Sequence, residues 1–570
     1  MKRCPECRRD YHDDSLLYCL DDGTALLDGP ASAPGREEPQ TAILRGVDRS
    51  GESPTTAQIN STDQTAISHS GPPAAPKAAV DKRLVGISFL VAVIVVTAGV
   101  LGYRYYSPTK PINSIAVLAF ENRSGNADSD YLSDGLTESL IYRLSQLPDL
   151  KVSPTSSILR YKGKDTDLQK IASELGVQAI MSGRIAQRGD NLTISVELVD
   201  AANNKLLWGE QYERKISELL ATQREIATEI TNKLKVRLTG VDAAKAEKKY
   251  TDNNDAYQLY LRGRFYFAKR GKDNLLKGID YYQHAIALDP NFALAYVGVA
   301  ESYNLAVSNS NLSPQEAMPL AEAAVRRALE IDRSLAEAHA AHATSLIANW
   351  NWSDAEREYK RALELDPNAA ETHYRYAINY LITVGRSDEA IAEIKRALEL
   401  EPLSLAMNAN LTSAYLAHRQ PDLALEQAQK AYNLDPNHLS ARLWLGLAYI
   451  GNARYDDAIA LDEKILQVDP TDPDILYTVG YAYGRSGRRN EAEAVIRKLK
   501  DIAQTQYVDL TSIAAVYTGL NKRDEAFAEL EKAFDSRSPT LAATLADPLL
   551  DPLRDDPRFN DLLRRMNLPE

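Results

Sequence analysis

Two short turns near the amino terminus carry the residues best suited to metal chemistry. Cys4-Pro-Glu-Cys7 is a C-x-x-C turn, and Cys19-Leu-Asp-Asp22 follows after eleven intervening residues. A C-x-x-C turn can present two thiolates to one zinc ion, and a second turn can complete the tetrahedron. Three thiolates leave one position over, to be filled by Asp22, His12 or water. The competing reading is a segment that binds no metal, or a reducible thiol pair. If zinc is held by Cys4, Cys7, Cys19 and Asp22, its role is structural, because so short a segment has little core and metal binding supplies most of its folding energy.

Other constellations are weaker. His339-Ala-Ala-His342 has the spacing of a metal pair but no third ligand in view, and reads as packing. Asp130, Asp134 and Glu138 recur at helical spacing near a helix start, where negative side chains suit the helix dipole and a solvated face. Arg188-Gly-Asp190 reads as hairpin-turn chemistry. The chain contains no Gly-x-Ser-x-Gly elbow, phosphate-binding loop or kinase signature. The sequence therefore points away from an enzyme, with no catalytic residue, no small-molecule substrate and no organic cofactor expected.

The metal-type turns are set off from the rest of the chain by a run that holds no charge. Leu84 to Tyr103 is twenty residues without Asp, Glu, Lys or Arg. At about 1.5 Å per residue a helix of that length covers the ~30 Å of a bilayer's hydrocarbon core. It predicts a single transmembrane helix over 84–103. Lys77, Lys82 and Arg83 flank it in front and Arg104 and Lys110 behind. The positive-inside rule leans toward a cytoplasmic amino terminus, and all three cysteines lie on that side, where thiolate ligands persist in a reducing compartment. The expectation is an inner-membrane, single-pass protein with its carboxyl-terminal domains periplasmic. Residues 28–83, rich in Pro, Ala, Ser, Thr and Gly, cannot bury enough apolar surface to offset ordering entropy and predict a disordered linker.

Beyond the span, residues 111–240 change texture. Ser114 to Phe120 is a compact apolar run suited to a buried strand. Leu132, Leu136, Leu140 and Leu144 mark a helix over 130–147. Lys151-Val-Ser-Pro is a short extended piece, and 167–175 is a helix closed by Gly176. Alternating runs from Ala179, Leu192 and Leu206, separated by Gly189-Asp-Asn191 and Asn203-Asn204, predict an antiparallel meander. Ile115-Ala-Val-Leu-Ala-Phe-Glu-Asn-Arg-Ser-Gly, Tyr131-Leu-Ser-Asp-Gly-Leu-Thr-Glu, Tyr161-Lys-Gly-Lys-Asp, Glu174-Leu-Gly-Val and Leu207-Trp-Gly-Glu-Gln-Tyr resemble the TolB amino-terminal-like domains, related to FlgO and CsgG-type envelope modules. The resemblance implies an α/β domain outside the cytoplasmic membrane, in a group that commonly carries cytoplasmic output domains. Here the cysteine turns, which resemble a minimal zinc ribbon of the CPxC...FCxxDG kind, stand in that place.

Residues 255–540 are repetitive. Leu-x-Asp-Pro or a relative ends a unit at Pro290, Pro367, Pro402, Pro436 and Pro470, with Arg333 in the same place, at steps of 34 or 35 residues from Arg333 onward. Small residues such as Ala343, Ala377, Gly446 and Gly480 fall where two helices cross closely, and Tyr380, Tyr415, Tyr449, Tyr483 and Tyr517 take the large position between them. The pattern resembles tetratricopeptide repeats. About eight units start near Ala256, Ala293, Ala336, Ala370, Leu405, Leu439, Pro473 and Tyr507, the second with extra residues near 308–313. Residues 541–570 predict a capping segment, with Phe559, Leu562, Leu563 and Met566 on one face covering the last repeat.

Such units bury a core only by stacking, and the superhelix offers a concave groove. Positions 2, 5 and 9 of first helices usually face it. They are Glu371, Tyr374 and Ile378 in the fourth unit and Asp474, Tyr477 and Tyr481 in the seventh. With Glu and Asp where carboxylate-clamp repeats have cations, the partner is expected to be a protein or peptide of apolar or basic character, anchored on Tyr374, Tyr477 and Tyr481. The competing reading is that these tyrosines only pack. A net charge of -13 over 570 residues, 44% of them hydrophobic, argues against sequence-independent nucleic-acid binding.

The whole chain therefore reads as a multidomain, membrane-anchored interaction protein: zinc-ribbon-like segment (1–27), linker, span, α/β domain and all-α solenoid. Two alternatives stay open. One is an envelope-assembly scaffold whose front is only an anchor or address. The other is a nucleic-acid reader working through Lys2, Arg3, Arg8 and Arg9.

Overall fold

The structure is a computed structural model that describes residues 112–125, 129–147, 150–164, 167–234, 248–308, 312–505 and 507–568, with the strands Lys2–Arg3, Asp10–Tyr11 and Leu27–Asp28. Cys4, Cys7, His12, Cys19, Asp22 and the 84–103 run, on which the zinc and membrane expectations fall, lie outside the described residues. Among the described residues no helix is long and apolar enough to cross a membrane, and no group of three His, Cys, Asp or Glu could hold a metal ion. The front unit, residues 1–106, contributes a three-stranded sheet in which Lys2–Arg3 (β1) pairs with both Asp10–Tyr11 (β2) and Leu27–Asp28 (β3), antiparallel on each side.

The second unit begins with the α/β region. Ser114–Val117 (β4), Glu121–Asn122 (β5), Lys151–Val152 (β6), Ala179–Arg188 (β7), Asn191–Asp200 (β8) and Lys205–Lys215 (β9) form one sheet in the order β6-β4-β7-β8-β9, with β5 beside β7. Helices are Asp130–Ser145 (α1), Thr155–Leu159 (α2), Leu168–Leu175 (α3) and Leu219–Leu234 (α4). The meander β7-β8-β9 is antiparallel, as the alternation predicts. The alternation does not show that β4 pairs in parallel with β6 and β7. Parallel strands need crossovers, and α1 to α3 supply them. β4 is buried at all four positions, which fits a strand covered on both faces.

Among the described residues eight helix pairs follow. They are Asn254–Lys269 (α5) with Lys272–Leu288 (α6), Ala293–Ser308 (α7) with Pro314–Ile331 (α8), and Ala336–Ala348 (α9) with Trp352–Leu365 (α10). Ala370–Arg375 (α11), continued by a π turn over Tyr376–Leu381, pairs with Ser387–Leu400 (α12). Leu405–Ala417 (α13) pairs with Pro421–Leu434 (α14), and Leu439–Gly451 (α15) with Tyr455–Leu466 (α16). Pro473–Arg485 (α17) pairs with Arg489–Ile502 (α18), and Leu510–Gly519 (α19) with Arg523–Asp535 (α20). Leu541–Ala546 (α21), a 3₁₀ turn over Pro548–Leu553 and Pro557–Arg565 (α22) end the chain.

Small residues let the helices meet. A Cβ on Gly484 would lie 2.6 Å from the main chain of Gly519, so only glycine fits this crossing of α17 and α19. The large position also works as the sequence pattern implies. Tyr380 donates to Glu356 on α10 at 3.2 Å and Tyr483 to Glu463 on α16 at 2.6 Å, and the Tyr517 hydroxyl accepts from Lys500 on α18 at 3.1 Å. Each tyrosine thereby links a first helix to the second helix before it.

Candidate binding groove

The front half of the concave surface is covered by the α/β region. α1 crosses α5 so closely that a Cβ on Gly135 would meet the Leu261 Cβ at 2.9 Å. Arg264 on α5 binds Glu138 on α1 and reaches Glu301 on α7 at 3.3 Å. Tyr142 donates to Glu337 on α9 at 3.3 Å, and Ser156 donates to Glu401 at 2.8 Å. One continuous apolar core runs from β4 through α1 to the third helix pair. The solenoid therefore uses the α/β region as its amino-terminal cap, burying an end that a repeat array cannot leave open.

This packing corrects the reading of Asp130, Asp134 and Glu138 as a solvated face. Asp130 accepts from Asn122 at 2.7 Å, Asp134 holds Lys162 at 2.6 Å, and Glu138 is bound to Arg264. A helix-period triplet of carboxylates looks the same in sequence whether it faces water or cations on other elements. Burial leaves its mark on the covered acids: it pushes both Glu337 and Glu401 up to about 7.

A cavity of about 1120 Å³ stays open where the seventh and eighth pairs and the carboxyl-terminal segment come together with Lys272 and Glu316 of the first two pairs. Asp474 and Tyr477 on α17 line it together with Tyr507 and Asp509, and Asp547 and Leu549 of the carboxyl-terminal segment form another wall. Asp474 is exposed to the cavity, yet the partial desolvation given by the surrounding walls, with Asp472 and Asp509 nearby, pushes it up to about 6; burial does the same to the half-buried Asp547. Asp509 is engaged locally, accepting from Ser538 at 2.8 Å and Thr540 at 2.6 Å. Among the described residues no cation lies in ion-pair range of Asp474. Lys272 is the cation in the lining, which also holds Glu316 and three aspartates.

The three tyrosines expected to anchor a partner separate here. Tyr477 lines the open cavity, half-buried, and burial raises its hydroxyl well above the usual range. Tyr481 is 5% exposed, and a Cβ on Gly519 would meet its main chain at 2.7 Å. Tyr374 packs against Ala370, Ala397 and Met407. The first-helix register thus brings Asp474 and Tyr477 to the cavity and leaves Tyr481 in the core, because α19 lies directly on it. Sequence reasoning missed Asp547 and Leu549, which precede the closing helix and show no repeat periodicity.

The carboxyl terminus also reaches farther than the last repeat. Phe559, Leu562 and Met566 cover α20 as expected, and the same cluster includes Trp352, Tyr376 and Leu381 from the third and fourth pairs. The Trp350 and Phe534 rings meet at a tilt of 35° with centroids 4.8 Å apart, and Arg419 pairs with Asp551 at 2.6 Å. His339 and His342 both turn to Glu358, at 2.6 and 3.6 Å, and the second nitrogen of His339 meets the Arg333 carbonyl. Burial of Glu358 is outweighed by these partners, which hold it at about 2.

Family models for the tetratricopeptide repeat match residues 340–404, 377–436, 410–473 and 473–506. Residues 340–506 are tetratricopeptide repeats. Proteins built on such repeats bind protein or peptide partners, and the fold is typically non-catalytic. The family described as HilA/YgeH-like transcriptional regulator, second domain, matches residues 111–230, so the motifs that resemble TolB-like domains fall inside a HilA-like match. A relative from Rhizobium meliloti (strain 1021), named "Putative adenylate cyclase 3", is 31% identical over 193 residues, 34% of this chain and 32% of the relative. The chain thus spans about a third of that protein's length. Similar solved structures include Pseudomonas aeruginosa PilF, 23% identical over 36% of this chain and 93% of that one, with a TM-score of 0.29. YrrB, a tetratricopeptide protein with an unusual peptide-binding site, is 25% identical over 32% and 93%, with a TM-score of 0.24. MamA is 26% identical over 28% and 94%, with a TM-score of 0.24.

Proposed function

We propose that this chain is a membrane-anchored, non-enzymatic scaffold that holds a protein or peptide partner in the open part of its repeat groove. The observation that carries the reading is the 1120 Å³ cavity in which Asp474 lies beside the Tyr477 ring without a cation of its own. A basic side chain entering there gains a charge-assisted partner and an aromatic face together. In this reading residues 84–103 anchor the chain in the inner membrane, the amino terminus is cytoplasmic, and the TolB-like and repeat regions are periplasmic. The front segment holds structural zinc through Cys4, Cys7 and Cys19 with Asp22, and docks a second component in envelope signalling.

The test titrates the full-length chain in detergent against a library of short peptides differing in lysine and arginine content. Basic peptides are expected to bind, and Asp474→Lys to abolish that binding while the chain stays folded. Equal binding of acidic peptides, or binding unchanged in Asp474→Lys, overturns the groove assignment. Compartment-specific reporters on each end test the topology. Deleting residues 1–80 separates a transducer, which loses function, from an envelope-assembly scaffold, which keeps it.

A further inference from the structure

The α/β region contains a second crevice, which neither the repeat fold nor the groove explains. β4 lies between β6 and β7, so the chain leaves it toward one side and returns past it to the other. All three strands run in parallel, and right-handed crossovers then send the intervening helices to opposite faces. Beyond the carboxyl end of such a strand a crevice opens, and ligands of open α/β sheets bind there. In this chain it measures about 690 Å³, within the range of about 300–1,000 Å³ typical of small-molecule sites.

Three segments that stand out in the sequence, from three separate places, meet at its wall: Glu121-Asn-Arg123, Asp130 with Ser133, and Tyr161-Lys-Gly-Lys164. Ser182 and Ser195 on β7 and β8, with Glu197, supply hydroxyl and carboxylate groups along the sheet, and Leu168 and Ile171 of α3 supply an apolar side. Most of the charge there is already spoken for. Lys162 holds Asp134, Arg123 and Arg184 share Glu121 at 2.7 and 3.7 Å, and Asp130 takes the Asn122 amide. Among the cations of the crevice Lys164 is the one without a carboxylate partner within the described residues, and it is exposed; Glu197 in the same lining likewise has no cation partner there. Lys164 follows Gly163, whose φ of +73° turns the main chain sharply and whose Cβ direction is open. A ligand can therefore approach this loop closely.

We propose that this crevice binds a small hydroxylated molecule bearing one anionic group, of the sugar-phosphate or sugar-acid class. Lys164 meets the anion, Arg184 adds to the field, and Ser182, Ser195 and Glu197 exchange hydrogen bonds with the hydroxyls. The site is independent of the repeat groove.

Calorimetric titration of the full-length chain in detergent tests it with glucose 6-phosphate, ribose 5-phosphate and glucuronate, and with glucose and inorganic phosphate as controls. At least one anionic sugar is expected to bind saturably, at least tenfold tighter than either control. The phosphate and carboxylate arms tell the two anion sources apart. Lys164→Glu, an exposed change that leaves the unfolding temperature in place, is expected to weaken binding at least tenfold, and Ser195→Ala several-fold. No saturable binding of any anionic sugar, binding matched by inorganic phosphate, or binding unchanged in Lys164→Glu each overturns the proposal.

Discussion

The indole nitrogen of Trp352 donates a hydrogen bond to the main-chain carbonyl of Met566, 2.7 Å away. The two residues stand 214 positions apart, and both are buried. Their bond ties the third helix pair to the closing helix, so the carboxyl-terminal segment fastens two distant parts of the repeat array. Trp352→Phe keeps most of the ring and removes the donor, leaving a buried carbonyl without its partner. The expected loss is about 1–3 kcal/mol. Hydrogen exchange should show the effect first as faster exchange in 541–568; unchanged protection there would argue against a fastening role.

Asp462 on α16 is fully buried, with one oxygen 2.6 Å from the Thr478 hydroxyl and the other without a partner. Burial pushes it up to about 7. The sign follows from comparing folded and unfolded chains. An unfolded Asp ionises near pH 4, so below that point both states are protonated and the group is neutral to stability. As pH rises to 7 the unfolded chain releases a proton that the folded chain retains, and folding weakens. Asp462→Asn abolishes this dependence and is expected to be the more stable form at pH 8, by on the order of 4 kcal/mol, with little difference at pH 4. Denaturant midpoints across that range measure it, and parallel curves would show that Asp462 is not the titrating group.

Tyr477 and Tyr481 are one helical turn apart and differ in what covers them. Truncating Tyr481 empties a site packed against α19 and should cost about 3–5 kcal/mol, as for other buried aromatics. Tyr477→Ala removes a ring that faces the cavity, and is expected to lower partner affinity with a smaller loss of stability. Melting curves and peptide titration on both variants separate the roles. A larger stability loss for Tyr477→Ala than for Tyr481→Ala would reverse the assignment.

These two tyrosines also show where sequence reading stops. Periodicity located the helix pairs and the position at which Tyr380 and Tyr483 reach back, because a repeat must solve the same packing problem every 34 residues. Registers 2, 5 and 9 assume an open groove, and here neighbouring elements decide exposure instead. Nothing in the spacing of Asp130, Asp134 and Glu138 reveals that Lys162 and Arg264 wait opposite, since those cations lie on other elements. The walls given by Asp547 and Leu549 were equally hidden, being outside the repeat. The crevice near Lys164 depends on strand order, and alternation reports which face of a strand is buried but not which strand lies beside it.

The contact between the α/β region and the solenoid rests on Arg264, whose guanidinium binds Glu138 and reaches Glu301. Burial works against its charge, and Glu138 foremost, with Tyr260, Tyr282 and Glu301, outweighs it. Arg264→Ala strands two carboxylates in a half-buried interface, and removing one partner of a buried pair costs about 3–5 kcal/mol. Arg264→Ala combined with Glu138→Ala removes a charge of each sign, and should recover part of that loss. The double-mutant cycle, read by denaturant unfolding, tests whether the pair couples cap to array. If the α/β region and the repeats are one cooperative unit, Arg264→Ala shifts both regions together. Separate transitions, with the α/β region unaffected, would mean that the cap adds nothing to the stability of the repeats it covers.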